Sequence, residues 1–168
     1  MAEFNLDKLI RDIPSIGDPA WRDLLSYVAH LHGRSIHPAG PPFPYPWEEI
    51  GPGYCYGPAF GHFDITHQAL DVLGSEPEHA RQQLLNNLAN QQADGMVPGV
   101  IWMDGRDDLW LTHKSYPPAW VMGVEEHARK PGERLGIRLV GTTGCVAGRQ
   151  DYPFGIELQA RNLAARSR

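Results

Sequence analysis

Three aspartates lie close together in the segment Asp104-Gly-Arg-Asp-Asp108, which suggests acid–base chemistry. Carboxyl groups so near each other repel, so the pKa of one is raised and it can hold a proton near neutral pH. Trp102 and Trp110 flank the segment with apolar rings that favour a neutral acid and can stack on a sugar. The pattern therefore fits a general acid beside a carbohydrate. It also fits an exposed acidic turn that Arg106 neutralises.

Aromatic, carboxylate and amide side chains also mark the ends of two helices predicted upstream. Phe63 and Asp64 begin the first helix, and Gln91 and Gln92 lie near the end of the second. Asp64 can bind sugar hydroxyls or act as a first-turn acid stabilised by the helix dipole, and the two roles are compatible. The glutamines either line a cleft or are solvated helix ends.

Hydrophobic spacing and capping residues predict the helices that must position these groups. Asp18 is a favourable N-cap before Pro19, and Ser75 with Glu78 forms a capping-box pattern. The predicted helices cover residues 4–12, 18–33, 64–73, 75–94 and 117–130. The third and fourth, separated only by a tight turn, form an αα-hairpin.

Two apolar stripes are expected to pack in the core. The stripe of the second helix consists of Trp21, Leu24, Leu25, Val28 and Leu31. The stripe of the fourth helix consists of Ala80, Leu84, Leu85 and Leu88. Both recur at helical spacing, which is more typical of core packing than of a ligand site.

The segment 35–56 is rich in proline, glycine and aromatic residues. Four of its six prolines, at positions 41, 42, 44 and 46, exclude a helix or a central strand there. We expect a long ordered loop over a cleft, pinned by Phe43, Tyr45 and Trp47. A polyproline-type segment that recognises a partner is the alternative. Residues 97–103 are predicted to form a short extended segment.

Composition limits the classes of function. The chain of 168 residues has a net charge of −5, and residues 1–128 carry 17 acids against 7 Lys and Arg. An acidic surface argues against nucleic-acid binding. No apolar run reaches the roughly 20 residues that a membrane-spanning helix needs. Cys55 and Cys145 are far apart and suggest no disulfide framework, so a cytoplasmic location is expected.

Several of these pieces, taken in order, resemble the six-hairpin, or (α/α)6-barrel, glycoside hydrolases. The resemblance is to the clan of trehalases, processing α-glucosidases and mannosylglycerate-hydrolase-like enzymes. It rests on Phe63-Asp64 at a helix start, on Gln91 followed by Asp94-Gly-Met-Val-Pro98, and on the aspartate loop before Thr112-His-Lys-Ser-Tyr-Pro-Pro118. These motifs cover about 70 residues of the chain.

The resemblance implies an inverting glycosidase, in which two carboxyl groups about 6.5–9.5 Å apart act on opposite faces of the sugar. It places the general acid at Asp107 or Asp108, with Asp104 as a third candidate. The implied substrate-binding residues are Phe63, Asp64, Gln91, Trp102, Trp110, Lys114 and Tyr116. Lys114 with His113 would help to bind a charged sugar, or the two form a surface pair.

The chain departs from that family after residue 128. Residues 129–168 carry 3 acids against 8 Lys and Arg, and all tryptophans, methionines and histidines precede them. Twelve helices make the family's barrel, whereas this sequence predicts about five. No segment matches the half that holds the catalytic base, and Glu157 is a weak candidate. A truncated or frame-shifted reading frame, or a separate short β element, would explain this Gly/Arg-rich tail.

These observations predict a mainly α fold: αα-hairpins of a partial (α/α)6 toroid in residues 1–128, long Pro/aromatic loops, and an irregular or short β tail in 129–168. The predicted function is that of a glycosidase fragment acting on a small α-linked glucoside or mannoside, weak or inactive alone. The alternative is a small helical protein that binds carbohydrate or peptide. His62, His67 and His79 lack the spacing of a zinc motif, so no metal and no cofactor is expected. Helix faces left uncovered by a partial barrel would meet a partner chain or a second copy.

Overall fold

A computed structural model describes residues 4–51, 58–92, 96–104 and 119–129, together with the backbone of 138–140 and 155–157. The described part is mostly helical, with short antiparallel strand pairs. The helices are α1 (Leu6–Asp12), α2 (Arg22–Ser35), α3 (His62–Val72), α4 (Pro77–Ala89) and α5 (Trp120–Ala128). The strands are β1 (Ile36–His37), β2 (Trp47–Glu48), β3 (Ala59–Gly61), β4 (Val100–Trp102), β5 (Arg138–Val140) and β6 (Gly155–Glu157). Short 3₁₀ helices at Ile13–Ser15 and Pro19–Trp21 connect α1 to α2.

In the part of the chain that the structure describes, each helix is too short or too polar to cross a bilayer.

The predicted αα-hairpin is confirmed as α3 and α4, which pack together and against α5. Their shared core contains Ala69 and Val72 from α3, Leu84 and Leu88 from α4, and Val124 from α5. These residues recur at spacings of three and four, which places them on one face of each helix. Ala80, Leu84 and Leu88 are buried as predicted, whereas Leu85 is only half-buried.

The predicted inward stripe of α2 is wrong at its first two residues, although Leu25 packs against the core. Trp21 is 59% exposed, Leu24 is 61% exposed, and Leu25 is half-buried. The buried face of α2 instead carries Ala29, His32 and Ser35. This face is polar because α2 packs beside the strand pair β1–β2, where a buried carboxylate of β2 is a partner for His32.

One of the two predicted helix caps is confirmed. The Asp18 side chain accepts a hydrogen bond from the Ala20 amide at 2.8 Å. The capping box at Ser75 is wrong, because Pro77 occupies the first position of α4 and Glu76 becomes the N-cap residue. Ser75 is buried, and its carbonyl accepts a hydrogen bond from Lys8 Nζ.

The proline-rich segment is an ordered loop, as predicted, over its described residues 36–51. Ile36 pairs with Glu48 and His37 pairs with Trp47, so the loop closes on itself. Phe43 and Trp47 are buried and form a second core with Phe60, Ile65 and Ile101. Tyr45 is half-buried.

Side-chain amides of α4 form hydrogen bonds with the backbone of this loop. Gln83 accepts a hydrogen bond from the Glu48 amide at 3.0 Å and donates one to the Pro46 carbonyl at 3.0 Å. Asn86 accepts a hydrogen bond from the Tyr45 amide at 3.2 Å and donates to the Pro46 carbonyl at 3.1 Å. These bonds satisfy backbone groups that the prolines leave without strand partners.

The extended segment predicted at residues 97–103 is confirmed in part, as β4 at Val100–Trp102. It pairs antiparallel with β3, with Gly61 opposite Val100 and Ala59 opposite Trp102. β3 leads directly into α3, so this strand pair fixes where α3 begins.

In the tail, the backbone of β5 pairs antiparallel with β6. A short β element was one of the two structures expected for the tail.

Candidate functional site

A cleft of about 440 Å³ lies between α2 and α3. Asp64, His67, Gln68 and Asp71 line it from α3 at spacings of three and four, so they share one helix face. Phe63, which is 39% exposed, stands at the same wall. The opposite wall is formed by Val28, Leu31, His32 and Ser35 of α2, and Ile50 and Gly51 complete the lining.

The junction of β3 and α3 positions Asp64. Gly61 precedes the helix, and a Cβ added there would lie 2.9 Å from Asp64 Oδ2 and 2.8 Å from Ile50 Cδ1. Both distances are shorter than Cβ atoms tolerate, so the absence of a side chain at Gly61 permits this close approach. The Asp64 side chain itself is exposed to the cleft.

Behind the cleft wall, Glu48 is fully buried between two histidines. His32 Nδ1 lies 2.9 Å from Glu48 Oε2, and His79 Nε2 lies 2.5 Å from Glu48 Oε1. The three side chains come from α2, β2 and α4, so the cluster ties the proline-rich loop to two helices. Phe4 covers His79, with ring centroids 4.6 Å apart.

The cluster is ionic at neutral pH. Burial acts to raise the pKa of Glu48, but the hydrogen bonds from His32 and His79 outweigh burial and lower that pKa. Burial likewise acts to lower the pKa of His32, but the carboxylates of Asp71 and Glu48 outweigh it and raise the pKa to about 9. His32 is therefore an imidazolium paired with a carboxylate.

His32 connects this buried cluster to the cleft. It is only 3% exposed, yet it lines the cleft, and its Nε2 lies 3.8 Å from Asp71 Oδ2. Asp71 is 56% exposed, so the open side of this pair faces the cleft. The arrangement presents a charged donor beside a carboxylate acceptor.

Two of the residues predicted to bind substrate, Phe63 and Asp64, line the cleft. Trp102 is half-buried on β4, Gln91 is half-buried after α4, and Asp104 is exposed after β4. None of these three lines the cleft between α2 and α3.

The strand pairing separates Asp104 from Asp64. The Met103 amide donates to the Pro58 carbonyl at 2.9 Å, at the end of the ladder away from α3. Pro58 precedes the first residue of α3 by four residues, which corresponds to roughly 13 Å of extended chain.

Asp107, Asp108, Trp110, Lys114 and Tyr116 lie outside the described residues, as does His113. The backbone at Glu157 belongs to β6.

Sequence reasoning missed Glu48, His32 and the role of His79. One signal was available: His79, Gln83, Asn86 and Asn90 recur along α4 at spacings of four, three and four. That spacing marks a polar helix face, and a polar face turned inward must have buried partners. Glu48, which stands between Trp47 and Glu49, gave no comparable signal.

The described residues contain no group of three or more His, Cys, Asp or Glu arranged to hold a metal ion. Comparison of the chain with protein families, with curated proteins and with solved structures found no significant match.

Proposed function

We propose that the cleft between α2 and α3 binds a small neutral carbohydrate. In this proposal residues 1–128 derive from an inverting, six-hairpin type of glycoside hydrolase, with α3 and α4 as one hairpin of a partial toroid. The observation that carries it is that Phe63 and Asp64, expected from the sequence to contact sugar, line one cleft together with Gln68 and Asp71.

The chemistry of the cleft supports a sugar as ligand. Carboxylate and amide groups accept and donate hydrogen bonds to hydroxyls, and the exposed part of the Phe63 ring offers an apolar surface for sugar C–H groups. A volume of about 440 Å³ falls in the range of small-molecule sites.

Asp64 and Asp71 are assigned to binding rather than to catalysis. They are seven residues apart on one helix, so their Cα atoms are roughly 10.5 Å apart along its axis. They also belong to one wall, whereas an inverting pair must act from opposite faces of the sugar. The proposed general acid stays in the loop 104–108, at Asp107 or Asp108, and no base is assigned, so we expect little or no turnover by this chain.

The alternative, a peptide-binding protein that uses the proline-rich loop, is less well supported. A loop that recognises a partner must expose its aromatic rings, but Phe43 is 1% exposed and Trp47 is 5% exposed. These rings form a core, which leaves them unavailable to a peptide.

Isothermal titration calorimetry with methyl α-D-glucopyranoside, methyl α-D-mannopyranoside and trehalose tests the proposal. We expect at least one to bind, and Phe63→Ala and Asp64→Asn each to weaken binding about tenfold, the cost of about 1.4 kcal/mol. Tyr27→Ala and Asp23→Asn are matched controls, because both side chains are exposed on α2 and neither lines the cleft. Binding that both cleft variants leave unchanged, or no binding by any of the three sugars, would contradict the proposal.

A further inference from the structure

His32 and Asp71 form a contact of unusual geometry at the wall of the cleft. An imidazolium has two N–H donors, and Nδ1–H of His32 is used by Glu48 at 2.9 Å. The distance of 3.8 Å from Nε2 to Asp71 Oδ2 is longer than an N–H···O hydrogen bond. The charged donor and the carboxylate acceptor therefore stand side by side at the cleft as an ion pair that is longer than a hydrogen bond.

We propose that His32 is a ligand-binding residue that donates Nε2–H to a sugar hydroxyl, that Asp71 accepts the proton of the same hydroxyl, and that Glu48 is the positioning residue that orients His32. This inference rests on the proposed carbohydrate-binding function of the cleft. It adds a specificity: the pair suits a neutral hydroxyl, because a hydroxyl oxygen can accept a hydrogen bond and donate one at the same atom.

The charges in the cleft disfavour an ionic group at this pair. A carboxylate or phosphate on the ligand would be repelled by Asp64 and Asp71. An ammonium group placed at this pair would meet the positive charge of His32. A neutral polyol avoids both repulsions.

The positioning of His32 depends on a chain of buried contacts. Glu48 receives hydrogen bonds on both carboxylate oxygens, from His32 and from His79, and its amide donates to Gln83. With both oxygens and the backbone fixed, the carboxylate has one available orientation, and it fixes the ring plane of His32 in turn. The ionisable groups that face His32 are Glu48 from β2 and Asp71 from α3, with His79 of α4 behind Glu48.

The affinity of the cleft for sugar should therefore follow the charge of His32. The raised pKa of about 9 keeps the imidazolium through neutral pH. Above that pH the ring becomes neutral. A neutral ring that keeps its proton on Nδ1 for Glu48 has none on Nε2, so the donor to the ligand is lost.

The experiment uses the full chain and whichever of the three glycosides binds it. Calorimetry at pH 7.5 should show about a tenfold loss of affinity in His32→Gln and a loss of at least fivefold in Asp71→Asn. His30→Gln and Asp23→Asn should bind like the wild type, since both residues are exposed on α2 and neither lines the cleft. Wild-type affinity should fall about tenfold between pH 7.5 and pH 10, whereas that of His32→Gln should not change. D-Glucuronate, the anionic probe, should bind at least tenfold more weakly than the neutral glycoside.

A second measurement separates positioning from binding. Imidazole ¹⁵N chemical shifts of His32 should show a protonated ring at pH 7.5 in the wild type and in Asp23→Asn. In Glu48→Gln, or in Asp71→Asn if the first variant does not fold, the ring should titrate at lower pH.

The possible failures are distinguishable. A folded His32→Gln variant that binds the glycoside like the wild type overturns this inference and leaves the proposed function standing. A wild type that binds none of the glycosides overturns the proposed function and the ligand role of His32 together. A wild-type ring that is neutral at pH 7.5 overturns the positioning role of Glu48, whatever the binding data show.

Discussion

Glu48 is a buried carboxylate with a hydrogen-bond partner on each of its two oxygens. Transferring a charge from water to the protein interior costs free energy, and that cost is offset only where hydrogen-bonding partners are well placed. His32 and His79 supply those partners from two helices that are far apart in the sequence. Glu48 therefore contacts His32, a residue of the cleft wall, while it is itself fully buried.

Glu48→Gln should lower the free energy of unfolding by about 3 kcal/mol, because it leaves the buried His32 imidazolium with the exposed Asp71 carboxylate in place of a buried counter-ion. Urea denaturation followed by circular dichroism measures the change. Glu125→Gln is the matched control: Glu125 also pairs with a cation, Arg129, but its side chain is 58% exposed, so a loss below about 0.5 kcal/mol is expected. Equal losses in the two variants would contradict the buried ion pair.

Stability should also depend on pH in a defined window. The pKa of His32 is raised from 6.5 to about 9 in the folded protein, so its stabilising effect is complete below pH 6.5 and disappears as the pH rises through 9. The expected loss is up to about 3 kcal/mol. The lowered pKa of Glu48 acts at the other end, since its contribution is present above its usual value of 4.5 and is lost as the pH falls below it.

Urea unfolding from pH 4 to pH 10 checks this profile, which should have its maximum near pH 5–6.5 for these two groups. The alkaline decline should be absent in His32→Gln and unchanged in His30→Gln. An alkaline decline of equal size in wild type and His32→Gln would assign it to other groups.

The sequence predicted that Phe63 and Asp64 share one site, because they are adjacent in the chain at a helix start. It could not predict the Glu48 cluster, because its three members lie 16 and 31 residues apart along the chain. Such a contact depends on how the loop folds back between α2 and α4, and local patterns carry no information on that.

Helix α4 has an apolar face and an amide-rich face, and the two faces make different contacts. Its apolar face packs in the core with α3 and α5, and its amide face holds the proline-rich loop. Prolines in the loop remove backbone donors, so the remaining carbonyls and amides need side-chain partners.

Asn86→Ala should destabilise the loop, because it leaves the Tyr45 amide without its side-chain partner and removes a donor from the Pro46 carbonyl, which keeps the hydrogen bond from Gln83. The expected cost is about 1–3 kcal/mol, and hydrogen exchange at Tyr45 and Glu48 should accelerate before that of the α4 core. Arg81→Ala, on a more exposed face of the same helix, should leave both exchange rates unchanged. Unchanged exchange in Asn86→Ala would show that the amide contacts do not hold the loop.

Element positions were predictable where periodicity, Gly and Pro agree, as in the α3–α4 hairpin. The orientation of α2 was not, because the stripe of apolar residues predicted to face inward begins with Trp21 and Leu24, which are exposed. The opposite face of α2 is buried where His32 pairs with Glu48, 16 residues away in the sequence. That pairing outweighs the local pattern of apolar residues.

For the whole molecule, an exposed apolar stripe runs along the start of α2 and the turn that precedes it. Ile16, Trp21, Leu24 and Tyr27 are all more than half exposed. Grouped apolar side chains of this size favour association.

We predict concentration-dependent self-association through this stripe, measured by sedimentation velocity. Leu24→Lys combined with Trp21→Ser should shift the protein towards monomer. Met122→Lys, which replaces another residue that is 58% exposed but lies on α5, should not. A wild type that stays monomeric at all concentrations would contradict the prediction.

Sugar binding in the cleft between α2 and α3 can be mapped by ¹H–¹⁵N chemical shifts during titration with methyl α-D-glucopyranoside and methyl α-D-mannopyranoside. We expect saturable shifts concentrated at residues 28–35 and 63–71, and their loss in Phe63→Ala and Asp64→Asn. Saturable shifts confined to other parts of the chain, or none with either sugar, would contradict binding in this cleft.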